Sequence, residues 1–472
     1  MKKTLLLLAL ATLSLSSCEK FLEEEPNDFI ASDNFYKNEG DAVAALNGLF
    51  SSLQPQVYYG RTVWLITELP TDLVRVGSST DERAQLSRFT FSPTTGEINN
   101  WWTSNYRMIN RANDVIEKVP GISMDVAKRD NIVGNARFLR ALAYFNLVRC
   151  FGDVPLRLTS VRSPNEELRL PRTPLAAVYE QIILDLKFAE EKCLPENQIP
   201  AGEKGRVSSG AATAVLAKVY LTRASTTARQ GTDLTDALAT TNRVINSGRY
   251  SLVPTYGDVF DPDKENGPEH IFSIQFDLPP NIGNIIVRQF LPTQLQGLGS
   301  FTVEDRFLAS YAATDVRRTW NVSNRAGTVT LPRFYFNKFR DDQRIINDSR
   351  ANHLVTRFAD VLLMQSEILN EINPADVTKY QGINRVRQRA SLAPLPTTAT
   401  TKAAFVTLLL QERAWELCIE GHRWYDLVRL KRLQEVQRMV FNRIIDDTFL
   451  LFPIPQAELV LNPNVTQNPG YN

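Results

Sequence analysis

One stretch constrains the fold more than any other. Between Val126 and Phe151, Phe138-Leu139, Ala141 to Phe145 and Leu147-Val148 cover most of the circumference of a helix rather than one stripe of it. A helix so apolar has to be buried on several sides, so other helices must wrap it; Gly152 and Pro155 end it. The rest of the chain supplies the wrapping. Apolar spacing of helical period predicts helices over 41–53, 100–119, 175–193, 208–224, 233–247, 356–371, 376–390, 401–420 and 424–437. At 43% hydrophobic and 22% charged, the 472 residues carry enough apolar surface for a large core, and they exclude a disordered, collagen-like or multi-span membrane protein.

The predicted helices come in pairs, with small and large residues mixed in the stripes Ala141-Leu142-Ala143-Tyr144 and Val215-Leu216-Ala217-Lys218-Val219-Tyr220, and more loosely in Phe358 to Leu363. Small residues let helices approach and aromatics fill the gaps. The expected fold class is therefore all-α, an irregular tetratricopeptide-like array of helical pairs, with a right-angle packed bundle as the alternative. Residues 250–350 break the pattern: prolines and glycines such as Pro262, Pro279-Pro280, Gly283 and Gly299 leave no room for long helices. Alternation predicts short strands at Ile271–Phe276 and Leu331–Phe339. An ordered insertion of this length on a helical body is costly to fix and points to a binding function.

The first residues read as a leader. Met1-Lys2-Lys3 is cationic, and Thr4 to Leu15 is apolar but too short to span a bilayer. Leu15-Ser16-Ser17-Cys18 then resembles a bacterial lipobox, with cleavage before a lipidated Cys18; several acyl chains make a firm membrane anchor. The acidic run Glu19 to Pro26 resembles a surface-export signal of Bacteroidetes lipoproteins, and also suits a solvated tether. Cys150 and Cys418 fall in apolar helical patterns and are read as packing residues.

Chemistry of a catalytic kind is hard to find. The chain has no phosphate-binding loop, dinucleotide fingerprint, nucleophile elbow or zinc-protease motif. Ser208 is read as a helix N-cap. Its 53 basic and 52 acidic residues nearly cancel, so no nucleic-acid-binding field is implied, and three scattered histidines make a multi-His metal site improbable. No cofactor is implied, and no EF-hand spacing supports calcium. Glu412, Glu416 and Glu420 form an acidic stripe at i, i+4 and i+8. A glycosidase needs two carboxylates on opposite sides of a sugar, which neighbours on one helix do not supply. The structural reading is an ion network with Arg413, Arg423, Arg429 and Arg387 or Arg389. His422 beside Glu420 is weak evidence for a metal.

Taken together, certain segments carry a family likeness: Cys18 to Pro26, Trp102-x-x-x-Tyr106-x-x-Ile109-x-x-Ala112-Asn113, Arg137 to Phe145, Phe151-Gly152-Asp153-Val154-Pro155, Asp315-Val316-Arg317-Arg318 and Arg357 to Met364. The most specific are Asn384 to Ala390 and the run from Glu412-Arg413 through Glu416-Leu417 and Glu420-Gly421 to Arg429, followed by Phe452 to Pro455 and Asn462 to Tyr471. The chain resembles the SusD/RagB family across nearly its whole length, departing at Gln365-Ser366-Glu367, where members often carry an alanine-rich segment. The resemblance implies a surface lipoprotein of the outer membrane that binds a glycan (or a peptide) without catalysis and caps a SusC-like TonB-dependent transporter. It also implies a division into residues 1–17 as signal peptide, 18–35 as tether, 36–235 as an N-terminal helical region and 236–472 as a C-terminal region holding the insertion.

Sugars offer flat C–H faces and a rim of hydroxyls, so a site needs aromatic platforms beside polar side chains. The resemblance places the ligand on loops of the N-terminal half and of the insertion. The candidate loops are Val57 to Gly60, Glu68 to Arg75 and Asn281 to Phe301, and the candidate residues are Trp64, Trp101, Trp320, Tyr58, Tyr59, Asp72 and Arg75. Trp102, Trp415 and Trp424 are expected to pack. Two rivals stand beside this reading: a surface glycoside hydrolase using Glu412 and Glu416, and a structural repeat scaffold with no small-molecule site.

Overall fold

The central helix forms where the apolar pattern puts it, and every residue from Phe138 to Val148 is buried. A computed structural model describes residues 35–77, 81–161, 169–397 and 400–471; Cys18 and the leader lie outside these described residues. The body is built from α1 (Glu39–Ser51), α2 (Thr62–Glu68), α3 (Gly96–Lys118), α4 (Val126–Phe151), α5 (Leu175–Lys192), α6 (Ser209–Arg223), α7 (Asp233–Asn246), α8 (Phe358–Ile372), α9 (Tyr380–Arg389), α10 (Lys402–Leu417) and α11 (Arg423–Arg429). From α3 to α9 each helix packs on the next one in the chain, and α10 packs on α8, so α8 continues the stack directly from α7 across the intervening insertion. This is an irregular tetratricopeptide-like array. Residue 235, the expected border, lies inside α7.

Local chemistry sets the helix ends. Asn38 and Asp41 form a reciprocal capping box at α1, and Ser208 Oγ accepts the Ala211 N–H at 3.0 Å, as its N-cap reading requires. Glycine allows the closest approach in the stack: a Cβ on Gly382 of α9 would lie 2.2 Å from the Leu362 carbonyl oxygen of α8. Polar cross-links fix the register. Arg140 on α4 grips Asp185 on α5 through two bonds of 2.8 and 2.7 Å and reaches Asn113 on α3 at 2.8 Å.

Two predicted helices end earlier than their spacing suggests. The 401–420 segment stops at Leu417, because Ile419 and Gly421 adopt positive φ of 60° and 83°. The 424–437 segment breaks into α11 and a helix at Leu433–Phe441. Lys431 takes φ 56° there, and the N–H groups of Lys431 and Arg432 turn back to the carbonyls of Val428 and Leu427, a Schellman closure.

Among the described residues, three antiparallel strand pairs form in the insertion or tie it to the rest of the chain. β1 (Val74–Val76) pairs with β3 (Phe301–Val303), β2 (His270–Ile274) with β6 (His353–Arg357), and β4 (Val322–Ala326) with β5 (Val329–Phe336). The two predicted strands fall on β2 and β5, each displaced by a few residues.

A buried ion network joins insertion to body. Arg357, at the end of β6, bonds Glu269 at 2.7 Å, Glu416 at 2.7 Å and Glu420 at 2.8 Å. Arg317 bonds Asp315, Glu412 and Glu416, Arg387 bonds Glu412, and Arg389 bonds Glu269 and Glu416. Lys338 reaches Glu420 at 2.6 Å. Only Arg387 and Arg389 of the expected partners serve the acidic run. Arg413 instead bridges Asp360 and Asp426, Arg423 holds Asp72, and Arg429 holds Glu367 and Asp426. Burial alone would raise the Glu416 carboxyl, but Arg389, Arg357 and Arg317 hold it well below the usual carboxylate range. Glu416→Gln leaves those guanidinium groups under-compensated and is expected to cost about 3 kcal/mol or more in urea unfolding.

Glu68 behaves in the opposite way. Its Oε1 accepts the Gly421 N–H at 2.7 Å, while Oε2 finds no partner among the described residues. Burial pushes its carboxyl up to about 8 against that N–H bond. The folded chain keeps this proton that the unfolded chain loses near pH 4.3, so the contribution to stability is full below that value and is lost as pH rises through about 8, with a slope of at most about 1.4 kcal/mol per pH unit. Thermal melts of Glu68→Gln between pH 5 and 8 should show a flatter decline than those of the native chain.

Candidate functional site

The aromatic candidates separate by burial. Trp64, Trp101, Tyr58 and Tyr59 are each 2% exposed or less and line the core, so in this structure none is a platform for a ligand. Their partners explain why. Trp64 packs on Phe290 and Phe301, at 5.1 and 6.3 Å between ring centres, and so pins the insertion to α2. Tyr58 and Tyr59 close over Trp101, and their hydroxyls bond Asn105 and Asn146. Trp101, a candidate platform, is covered by the 57–59 loop; Trp102, as expected, is buried, with Nε1 donating to Glu458 of the C-terminal segment. Trp424 is buried against Phe452, and Trp415 is half-buried with Nε1 on Ser310 Oγ.

Asp72 is engaged as well. Arg423 holds both its oxygens, at 2.7 and 2.6 Å, which ties the 68–75 loop to α11. Asp72 is thus committed to Arg423, with its side chain 16% exposed.

Arg75, on β1, and Trp320, in the short helix Val316–Asn321 that leads into β4, are only half-buried. Glu304 accepts from Arg75 Nε and Nη2 at 3.1 and 3.2 Å, and Asp305 accepts from Nη2 at 3.1 Å. That fork leaves the Arg75 side chain 37% exposed and Asp305 66% exposed. Arg333 on β5 approaches the same Asp305 carboxylate at 3.7 Å. Its neighbour Phe334 is half-buried, with the Arg318 guanidinium 6.0 Å from its ring centre. Trp320 donates to the Lys338 carbonyl at 3.0 Å, and the Arg340 guanidinium lies 3.7 Å over its ring. Gly257 packs on the same ring, where a Cβ would fall 2.4 Å from Cζ3. Trp320 is thus a ring with a cation seated on it, not an open shelf. Asp305 and Arg333 were missed by sequence reasoning; for Arg333 the strand alternation that predicts Leu331–Phe339 was the available signal, since it turns every second side chain outward.

The Arg75–Glu304–Asp305–Arg333 surface offers fixed donors and an exposed acceptor, which suit reversible hydrogen bonding to hydroxyls. Glu412, Glu416 and Glu420 are 2% exposed or less and committed to cations, so they present no acid pair to a substrate. Among the described residues, no group of three or more His, Cys, Asp or Glu is arranged to hold a metal ion. Cys150, Cys193 and Cys418 are free and buried, and burial raises the Cys150 and Cys418 thiols to about 11.

Comparison with known proteins decides the family. A family model described as the SusD family matches residues 309–471, and one described as starch-binding, associating with the outer membrane, matches residues 20–221. A SusD-like protein P2 of Formosa agariphila is 29% identical over the whole of both chains. The crystal structure of a SusD superfamily protein from Parabacteroides distasonis superposes with a TM-score of 0.80 at 28% identity, covering 92% of this chain and 99% of that one. The chain belongs to the SusD/RagB family. A structure described as a laminarin-binding SusD-like protein also superposes, with a TM-score of 0.78 at 27% identity over 92% of this chain and all of the other. The SusD/RagB motif residues acquire structural roles here: Tyr106 OH donates to Pro155 O at 2.9 Å, Asn113 receives Arg140, and the 412–429 run supplies the acids and bases of the buried network.

If Arg340 masks Trp320, removing it should uncover the ring. Arg340→Ala is expected to shift tryptophan emission to the red and to increase acrylamide quenching, with the buried tryptophans as an unchanged background.

Proposed function

We propose that this chain is a lipid-anchored protein of the outer-membrane surface that binds a nutrient glycan and passes it to a SusC-like TonB-dependent transporter, without cleaving it. The observation that carries the binding reading is the Arg75–Glu304–Asp305–Arg333 cluster, where β1 and β5 meet the segment that follows β3 and where Arg75 and Asp305 stay open to solvent. It occurs in the same fold as a protein described as laminarin-binding. The lipobox ending in Cys18 and the family description of outer-membrane association support the location. Among the sequence candidates, Arg75 is the contact this reading retains as a donor.

Affinity electrophoresis in gels containing laminarin, other β-glucans, α-glucans, galactans or mannans tests binding directly. One of these polymers should retard the native chain, and Arg75→Ala or Asp305→Ala should weaken that retardation by about 3- to 10-fold, the range of one ordinary net hydrogen bond. Unchanged retardation in both variants would remove this surface from the ligand site. Release of reducing sugar by the pure protein would overturn the non-catalytic reading. Cys18→Ala should move the protein from the membrane fraction to the soluble fraction, and native-lipid purification without a barrel partner would remove the transporter from the proposal.

A further inference from the structure

A second hollow shares no residue with the Arg75 surface. Three adjoining depressions, of about 290, 430 and 670 Å³, lie where the end of α1 and the 199–206 loop meet residues 262–282 of the insertion. The first two share Lys204, Gly205 and Arg206; the last two share Gln54, Gln275 and Asn281, so the three form one groove. Volumes of roughly 300–1,000 Å³ are those of small-molecule sites, and three in a row suit a chain rather than a single ring.

The groove is built rather than incidental. Gln275 is fixed on both sides of its amide: Nε2 donates to Asn266 Oδ1 and Ser273 O at 3.2 and 3.0 Å, and Oε1 accepts from Asn266 and Asn352 at 2.8 and 3.0 Å. Gln54 adds a further amide, donating to the Gln275 carbonyl at 2.9 Å. The 201–206 loop crosses close over this ladder because residue 205 is glycine. Its φ is 98°, and a Cβ there would fall 2.4 Å from Gln275 Cγ. Arg206 lays its guanidinium 4.6 Å from the Phe50 ring centre, which fixes one wall as a cation seated on a ring. Charge along the walls is balanced: Arg249 pairs with Glu196, and Arg350 pairs with Asp341 and Asp263. Preordered planar amides with little net charge match hydroxyl groups better than they match an anion.

We infer that this groove is a second saccharide-binding site, taking several units of a neutral, hydroxyl-rich chain and holding it through Gln54 and Asn281. The inference rests on the glycan-binding reading above and extends it from one surface to two. A polymer engaged at both would be held more tightly than at either alone, because the second contact forms at high effective concentration.

Hydrogen-exchange mass spectrometry on the full chain, with and without whichever of the gel-tested polymers binds, locates the contact. Protection is expected in peptides covering 47–54, 199–206 and 275–282 as well as in those covering 74–77 and 300–305. The double variant Gln54→Ala/Asn281→Ala changes two side chains at the groove surface; its fold is checked by its melting temperature. It should bind the polymer about 5-fold or more weakly and lose protection in the groove peptides alone. Should the variant not fold, protection in the native chain decides. Protection confined to 74–77 and 300–305, or native affinity in the folded variant, overturns the groove while leaving the proposed function standing. If no polymer of the panel binds the native chain, both readings fall together.

Discussion

Arg357 is the point through which the two halves of this molecule are joined. It closes β6, its guanidinium is wholly buried, and it bonds acids from β2's entry and from the 412–420 run at once. Because β6 runs directly into α8, the same residue fixes where the helical stack resumes after the insertion. Burying so many ions is a poor way to gain stability, since desolvation offsets most of the attraction; what it supplies here is a single admissible geometry. An apolar seam could slide, whereas a guanidinium with three carboxylate partners cannot.

That rigidity explains how a long, glycine- and proline-rich segment stays ordered. The insertion is held at the β2–β6 pair and the ion network, at the β1–β3 pair, and at Trp64 against Phe290 and Phe301. Between those fixed points the chain forms helices of six residues or fewer, so its exposed side chains are not tied to the buried face of a long helix. The Arg75 surface and the amide-lined groove both lie on stretches of this kind.

The helical body was legible in the sequence for a physical reason: each helix buries a face, and burial writes itself as a period. Val126–Phe151 was readable residue for residue, and Ser208 as an N-cap followed from its position before an apolar run. The helix ends at Leu417 and Arg429 were not, because they depend on single residues, Ile419 and Lys431, adopting positive φ, which neither side chain advertises. The binding residues were the least legible. Tyr58, Tyr59, Trp64 and Trp101 look like sugar platforms when only composition and loop position are known, yet tertiary contacts with the insertion and with α4 enclose them. An aromatic in a loop signals that something flat will pack on it, and the sequence does not say whether that partner is a ligand or the protein.

The same ambiguity bears on how specificity is divided. Every carboxylate of the 412–420 run is consumed by the scaffold, so the motif that most strongly marks the family tells nothing about the ligand. On the proposed reading, recognition resides outside that run: Asp305 and Arg333 on one surface, Gln54 and Asn281 in the groove. These are polar side chains at element ends and on a strand, where a substitution away from buried partners disturbs stability little. A scaffold that spends its charged residues internally leaves its exposed ones free to change, and that separation lets one fold present different chemistry to different glycans.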